Sequence, residues 1–460
     1  MQLPDDFIQL IRPIFGDERF EHFLKALDEE CPVSIRVNPR KTENLELRTE
    51  RYDYIASEIV DNKTNHTSQS SALSSQLQAV PWCPTGWYLP TRPNFTFDPL
   101  LHAGCYYVQE ASSMFLDEVL RQHLPNRPLM ALDLCAAPGG KSTLMRSALP
   151  EGSILYSNEP NRKRASILLE NVEKWGYENH FVTNLYPKDY RKSETTFDVI
   201  LCDVPCSGEG MFRKDPDSVN EWSLQNVEHC WQLQREIVNE AWQCLNDGGL
   251  LIYSTCTYNT KEDEENVRWI KDELGAEILH VEVKADWGIT GSLLEGFNEP
   301  VYRFIPGYTR GEGLFMAVMR KAQQPLQPLP HGEGSRDSDK HGKQYSDKQG
   351  KKNPNKQEKL KNNKINSSLN ILTTPLSLGE GLEERFNLSY SQAIAYLRGE
   401  ALVLPADTPR GIVTVTFMGQ PLGTVKNIGN RANNLYPKEW RIKSTHIPKA
   451  YEPIVVLHHS

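Results

Sequence analysis

The chain has 460 residues, 38% of them apolar and 24% charged, which is the composition of a globular protein with room for two or three domains. No apolar run approaches the length of a membrane span, and MQLPDDFIQL carries acids where a secretory signal carries bases, so a cytoplasmic location is expected. The nine cysteines include no C-x-x-C pair, which argues against both a disulfide framework and a structural zinc site; no metal is expected. The net charge of −9 excludes a chain coated in nucleic acid-binding charge.

Residues 1–31 show apolar residues at helical spacing, Phe7, Leu10, Ile11 and Ile14, then Phe20, Phe23, Leu24 and Leu27. SIRVNPRK (34–41) alternates like a short strand, and that alternation predicts that Arg36, Asn38, Arg40 and Lys41 are exposed. From about residue 128 short apolar runs alternate with longer amphipathic ones. Strands are expected at 129–134, 153–159, 180–185, 197–203 and 248–256, with helices at 141–149, 161–175 and 220–246. The acidic run KEDEENVRWIKDEL (261–274) reads as a further helix and GLFMAVMR (313–320) as a late strand. Such alternation predicts an α/β domain whose mostly parallel sheet is covered by helices on both faces.

Residues 331–366 hold ten Lys or Arg against five Asp or Glu, about +5, leaving about −14 for the rest of the chain. That stretch has almost no apolar residues, so 323–372 is expected to be a disordered basic linker. The domains expected are an N-terminal α+β region at 1–80, to which the family resemblance given below assigns RNA binding, a Rossmann-like domain at 81–322, the linker, and a small module at 373–460. Any RNA binding must come from local basic surfaces or from the linker. No extended apolar seam points to an oligomer, so a monomer is expected.

Open parallel sheets bind ligands at the carboxyl ends of their strands. Here those ends deliver CAAPGGKST (135–143), Glu159, Asn184, Asp203 with VPCSGEG behind it, and Cys256. The glycine loop at Gly139 and Gly140 allows backbone to approach a ligand closely. It matches neither a Walker A loop nor G-x-G-x-x-G, because Cys135 stands where Walker A needs glycine. Glu159, 19 residues after Gly140, is placed to accept hydrogen bonds from both hydroxyls of a ribose. A glycine loop and a ribose acid without phosphate machinery suit S-adenosylmethionine; the alternative is a plain tight turn beside a surface glutamate.

Two cysteines beside an aspartate narrow the reaction. Methylating an amine needs only a lone pair and a positioned acceptor, so two thiols would be idle. Carbon 5 of a pyrimidine is a poor nucleophile, and a thiolate adding at carbon 6 makes the ring enamine-like. Asp203 could hold the base through its ring nitrogen and exocyclic amine, and a second thiol has a task in the elimination that follows. Against this, buried cysteines usually pack rather than react, and for the thiols of Cys135, Cys202, Cys230 and Cys244 packing is the expected role. The spacing around Cys256 leaves the choice open.

LDLCAAPGGK (132–141), DVPCSGEG (203–210) and YSTCT (253–257) resemble the signature blocks of the Sun-type (NSUN and RsmB/RsmF) RNA cytosine-5 methyltransferases. GCYYVQEASSM (104–114) and SIRVN (34–38) are similar to that family's N-terminal blocks, so the resemblance covers roughly residues 1–320. The RsmF-like bacterial branch fits best, since a smaller domain follows. The resemblance implies S-adenosylmethionine as cofactor and small-subunit (16S) ribosomal RNA as substrate. It implies that Cys256 attacks carbon 6 and that Cys206 is needed to release the methylated RNA. It assigns cofactor contacts to Cys135, Ala136, Ala137, Pro138, Gly139, Gly140, Lys141, Glu159 and Asp203. Asn184 departs from the family's usual aspartate, but its carbonyl can still accept from an adenine amine. Arg213 and Lys214 are expected to neutralise phosphates beside the target nucleotide. The C-terminal module resembles a PUA-like barrel, with Lys426, Arg431, Lys438 and Arg441 as candidate RNA contacts.

Two other readings remain: a methyltransferase for an amine or hydroxyl in RNA or protein, with idle thiols, and a ribosome-assembly factor on a dead fold. The second has no need of an intact glycine loop, Glu159 and both thiols together.

Overall fold

The computed structural model describes residues 1–42, 45–46, 77–322, 371–372, 384–444, 446–448, 451 and 453–457. The basic linker expected at 323–372 lies, apart from Ile371–Leu372, outside the described residues. Among the described residues no helix is long and apolar enough to cross a membrane.

Two helices open the chain, α1 (Asp5–Phe15) and α2 (Asp17–Leu27). Gly16, at φ +73°, separates them in a backbone conformation that glycine adopts without strain. Phe7, Ile11, Phe15, Phe20 and Phe23 form one buried face with Phe212, Trp222 and Tyr258. A small antiparallel sheet follows, built from β1 (Val33–Val37), β2 (Gln78–Ala79), β3 (Gly86–Leu89) and β4 (Tyr106–Val108) in the order β2-β3-β1-β4. It draws strands from both sides of residue 80.

The position of β1 between two partners overturns one expectation. Arg36 and Asn38 are buried rather than exposed, being 1% and 0% accessible. A central strand with both faces covered keeps a polar side chain only if its hydrogen bonds are met inside. Arg36 donates to Gln109 Oε1 (2.8 Å) and Thr143 Oγ1 (2.6 Å), and Asn38 Nδ2 donates to the carbonyls of Gly104 and Trp175 (both 2.9 Å). Lys41 turns inward to the carbonyls of Ala103 and Lys174, and Arg40, which stays exposed, donates to the carbonyl of Gly176.

The large sheet contains β5 (Met130–Asp133), β6 (Ile154–Asn158), β7 (His180–Thr183), β8 (Phe197–Asp203), β9 (Leu245–Thr255), β10 (Ala276–Ile278), β11 (Tyr302–Phe304), β12 (Leu314–Lys321) and β13 (Ile371–Leu372). Their order is β10-β12-β9-β8-β5-β6-β7-β13, with β11 also on β12. Strands β5 to β9 are parallel, and β10 to β13 pair antiparallel at the edges. The chain winds outward from β5 through β6 to β7 and returns to β8 on β5's other side. That reversal opens a crevice at the carboxyl ends of β5 and β8.

Helices α3 (Phe115–His123), α4 (Gly140–Ala148), α5 (Arg162–Trp175), α6 (Leu224–Cys244) and α7 (Glu264–Leu274) accompany the sheet. Its two faces are buried in separate apolar clusters, one holding Leu116, Leu144 and Ile252, the other Tyr156, Val238 and Leu251. The Rossmann-like domain expected from strand–helix alternation is therefore present, with element bounds within a few residues of those read from the sequence.

Among its described residues the C-terminal module has one α-helix, α8 (Tyr390–Leu397), and a sheet of β14 (Arg385–Asn387), β15 (Gly411–Phe417), β16 (Gln420–Asn427) and β17 (Ala432–Asn434). Its core is continuous with that of the small N-terminal sheet: Ile35, Leu100 and Tyr106 pack in one cluster with Ile394, Leu397 and Phe417. The two flanking modules thus share a core.

Candidate active site

The glycine loop runs from β5 into α4. Gly139 has φ +118°, and a Cβ there would lie 3.3 Å from both Asn171 Cβ and Leu168 Cδ1. Helix α5 holds the loop's outward carbonyls: Arg164 donates to Ala137 O (2.9 Å) and Asn171 to Pro138 O (2.8 Å). From behind, Arg36 reaches Gly140 O (3.3 Å). The loop is fixed on both sides before any ligand arrives.

Around this loop stand the groups that would hold an adenosine. Glu159 is 2% exposed; Oε1 accepts from Asn161 N (2.8 Å), while Oε2, 3.2 Å from an Arg164 nitrogen, is buried without a hydrogen bond. With only that ion pair meeting it, the oxygen keeps a lone pair for a ligand hydroxyl, which fits a bound ribose. Asn184 donates its amide nitrogen to Glu159 O (2.7 Å) and Pro160 O (2.9 Å), which leaves its carbonyl as the atom able to accept. At the loop's base Asp133 is fully buried, and its Oδ2 accepts from Ser142 Oγ at 2.5 Å. Burial, with help from nearby Asp203, pushes its carboxyl up to about 7.

Asp203 ends β8. Its Oδ2 accepts from Lys141 Nζ (2.9 Å) and its Oδ1 from Ser254 Oγ (2.6 Å), so both oxygens are anchored. Burial works against the Lys141 charge, but Asp203 outweighs it, and the ammonium is held above its ordinary range, Cys256 adding to the effect. A permanent cation thus sits beside both the aspartate and the thiol.

The two cysteines meet. Cys206 Sγ lies 3.1 Å from Cys256 Sγ and 3.4 Å from Cys256 N, and both are free thiols. The contact with Cys256, then burial, raises Cys206 well above a thiol's ordinary range. Cys206 therefore keeps its proton and can donate it to the neighbouring sulfur. Two backbone bonds join the loops that carry them, Val204 N to Ser254 O (3.0 Å) and Gly210 N to Cys256 O (2.7 Å). Of the other cysteines, Cys202, Cys230 and Cys244 are buried and Cys135 is partly so.

Comparison with known proteins places the chain among characterised relatives. Residues 121–320 match the family described as 16S rRNA methyltransferase RsmB/F, 59–111 match the N-terminal domain of 16S rRNA methyltransferase RsmF, and 383–442 match the methyltransferase RsmF PUA domain. The chain belongs to the RsmB/F methyltransferase family. It is an S-adenosylmethionine-dependent RNA methyltransferase with a C-terminal PUA domain. Relatives named ribosomal RNA small subunit methyltransferase F include those of Cronobacter sakazakii and Escherichia coli O81. Each is 28% identical over 95% of this chain and 96% of its own length. Among solved structures, a methyltransferase homologue from Pyrococcus horikoshii shares the fold at TM-score 0.53 and 23% identity, over 69% of this chain and 95% of its own. NSun6 from the same organism, solved with an S-adenosylmethionine analogue, gives TM-score 0.53 and 20% identity over 70% and 99%.

Not every residue expected at this RNA methyltransferase's site reaches it. Arg213 is no phosphate contact: its side chain is 6% exposed, paired with Glu312 (2.8 Å), and donates to Ala26 O (2.7 Å) and Gly311 O (2.9 Å). Its guanidinium ties α2 to the turn before β12 because Glu312 lies across from it. Lys214 is exposed. In the PUA domain Lys426, Arg431 and Lys438 are exposed, whereas Arg441 is half-buried and donates to Tyr436 O (3.4 Å).

Sequence reasoning passed over Asp133 and Ser254, which lie inside the quoted blocks, and Glu209 and Glu262. The last two are both fully buried behind the thiols.

Proposed function

We propose that this enzyme methylates carbon 5 of a cytosine in small-subunit ribosomal RNA through a covalent bond between Cys256 and carbon 6, with Cys206 assisting release. The observation that carries the proposal is the 3.1 Å contact of two thiols beside the Lys141–Asp203 pair. An amine or hydroxyl acceptor has no use for that contact. The relatives' names support ribosomal RNA as the substrate.

The attacking species is the Cys256 thiolate, since the protonated thiol is too weak a nucleophile. That thiolate adds to carbon 6, the displaced electron pair is delivered through carbon 5 to ring nitrogen 3, which takes a proton from solvent, and Asp203, anchored by Lys141 and Ser254, accepts from the resulting N–H and the exocyclic amine. The glycine loop, Glu159 and Asn184 would hold S-adenosylmethionine, which would supply the electrophilic methyl group. Release then needs a base to take the carbon 5 proton as the C6–S bond breaks and the Cys256 thiolate returns. Cys206 suits that stage. Its proton is held mainly by the Cys256 sulfur, so forming the thioether removes the main cause of its raised pKa, and Cys206 ionises more readily when a base is required.

The test is a denaturing gel after incubation with cofactor and RNA. Cys206→Ala is expected to accumulate a protein–RNA adduct and Cys256→Ala to form none. An adduct with Cys256→Ala refutes the thiol assignment, and unchanged methylation by both variants favours an amine or hydroxyl target.

A further inference from the structure

The loops bearing the two thiols are stitched together from behind by a buried polar network that none of the steps above uses. Glu262 Oε2 accepts from Ser207 N (3.0 Å) and from Gln234 Nε2 (2.7 Å), and the same Gln234 nitrogen donates to Pro205 O (2.9 Å). The residues immediately before and after Cys206 are therefore held by one pair of side chains. Gln234 is fixed in turn, because its Oε1 accepts from Asn266 Nδ2 (2.8 Å). Glu262 Oε1 accepts from Asn259 Nδ2 (2.9 Å), which also donates to Glu209 Oε1 (2.8 Å). Glu209 completes the stitch by taking Trp222 Nε1 (3.1 Å) and the backbone N–H groups of Tyr258 and Asn259 (2.6 and 3.1 Å).

Keeping two carboxylates here is expensive. Both are fully buried, and their donors are neutral. Burial, and for Glu262 the nearby Glu209, raises each above the ordinary carboxylate range. A network serving only cohesion would do as well with apolar packing. What a carboxylate offers is several acceptor sites and no competing N–H, so all of its donors can converge on it.

We propose that Glu262, backed by Gln234, is a positioning residue that sets the Cys206 sulfur for the release of methylated RNA. This rests on the roles given to the two thiols above. The grip is closest at Cys206, whose two neighbours it holds directly, whereas on the Cys256 side it reaches only Asn259 and the cysteine itself is held by other bonds. Ser254 is tied to Asp203, Cys256 O accepts from Gly210 N, and Thr255 and Thr257 donate to Asp263 (2.6 and 2.9 Å). Loosening Glu262 thus frees one sulfur and leaves the other in place.

Glu262→Gln keeps the shape but turns an N–H toward existing donors. Adduct formation is expected to stay within about twofold of the parent while release slows roughly tenfold, the scale of a small misplacement of a reacting group. On the gel the variant then accumulates adduct as Cys206→Ala does, with cofactor affinity unchanged. Release at the parent's rate overturns the inference, and so does an equal fall in formation and release, which marks general loosening. Should Glu262→Gln fail to fold, Gln234→Ala, which removes the bonds to Pro205 and Glu262 together, is read by the same assay and the same criteria. Cys206→Ala runs alongside. If it accumulates no adduct, the thiol roles themselves fail and this inference with them. If it does and folded Glu262→Gln does not, only the positioning role fails.

Discussion

Arg36→Lys isolates what a buried guanidinium does for the cofactor loop. Arg36 donates to Gln109 Oε1 at 2.8 Å, Thr143 Oγ1 at 2.6 Å and Gly140 O at 3.3 Å, and lies 4.3 Å from the centre of the Trp175 ring. Burial lowers its pKa to about 10, still well above neutrality, so the charge persists. Lysine keeps that charge and its desolvation cost but offers one compact ammonium in place of a planar fork. It cannot span Gln109 and Thr143 or stack on Trp175. The loss is at least one hydrogen bond from a charged donor, about 1.5–3 kcal/mol, plus about 1–2 kcal/mol of cation–π contact. A total near 3 kcal/mol lowers the melting temperature of a domain this size by roughly 6–12 °C. Because the contact to Gly140 loosens as well, the Kd for S-adenosylmethionine is expected to rise about tenfold in calorimetric titration. A variant within about 0.5 kcal/mol of the parent, with unchanged cofactor affinity, refutes the reasoning, since that is how an exposed arginine behaves.

Gly210→Ala places a Cβ 2.8 Å from Gly313 O and 2.9 Å from Cys256 O, both backbone atoms that cannot yield without moving the thiol. Methyl transfer should fall by about a hundredfold while cofactor binding stays intact, which separate activity and titration measurements resolve. Asp133 has a folded-state pKa of about 7, above its unfolded value, so between the two the native state binds more protons than the unfolded chain. Its contribution favours folding at low pH and is lost as pH rises through 7. Denaturant titrations at pH 6 and pH 8 should therefore show a smaller pH dependence in Asp133→Asn, and an unchanged slope contradicts this. The thiol pair at 3.1 Å should also be sensitive to hydrogen peroxide. Attack by Cys256 on the peroxide gives a sulfenic acid and water, and attack by Cys206 then forms a disulfide and releases a second water. Titratable thiols should drop by two and activity return with dithiothreitol; activity loss that does not depend on Cys206 argues against the pairing.

Much of this protein was decided by local pattern. Short apolar runs bounded by turn residues marked the strands of the large sheet, since a strand buried on both faces has little freedom of composition. The reactive residues fell where those runs ended, so Asp203, Cys206 and Cys256 could be grouped before any geometry was known. Local pattern failed where burial depends on partners distant in the chain. Alternation in SIRVNPRK put Arg36 and Asn38 on a solvent face, yet β1 is a central strand, and its polar groups are met by carbonyls and side chains more than sixty residues away. KEDEENVRW read as the acidic start of a helix, and nothing local in that run tells that Glu262, Asp263 and Glu264 are fully buried, with Arg303 paired to the last two. Whether a charged side chain meets water or a partner is fixed by which elements pack against it, and only the tertiary fold sets that.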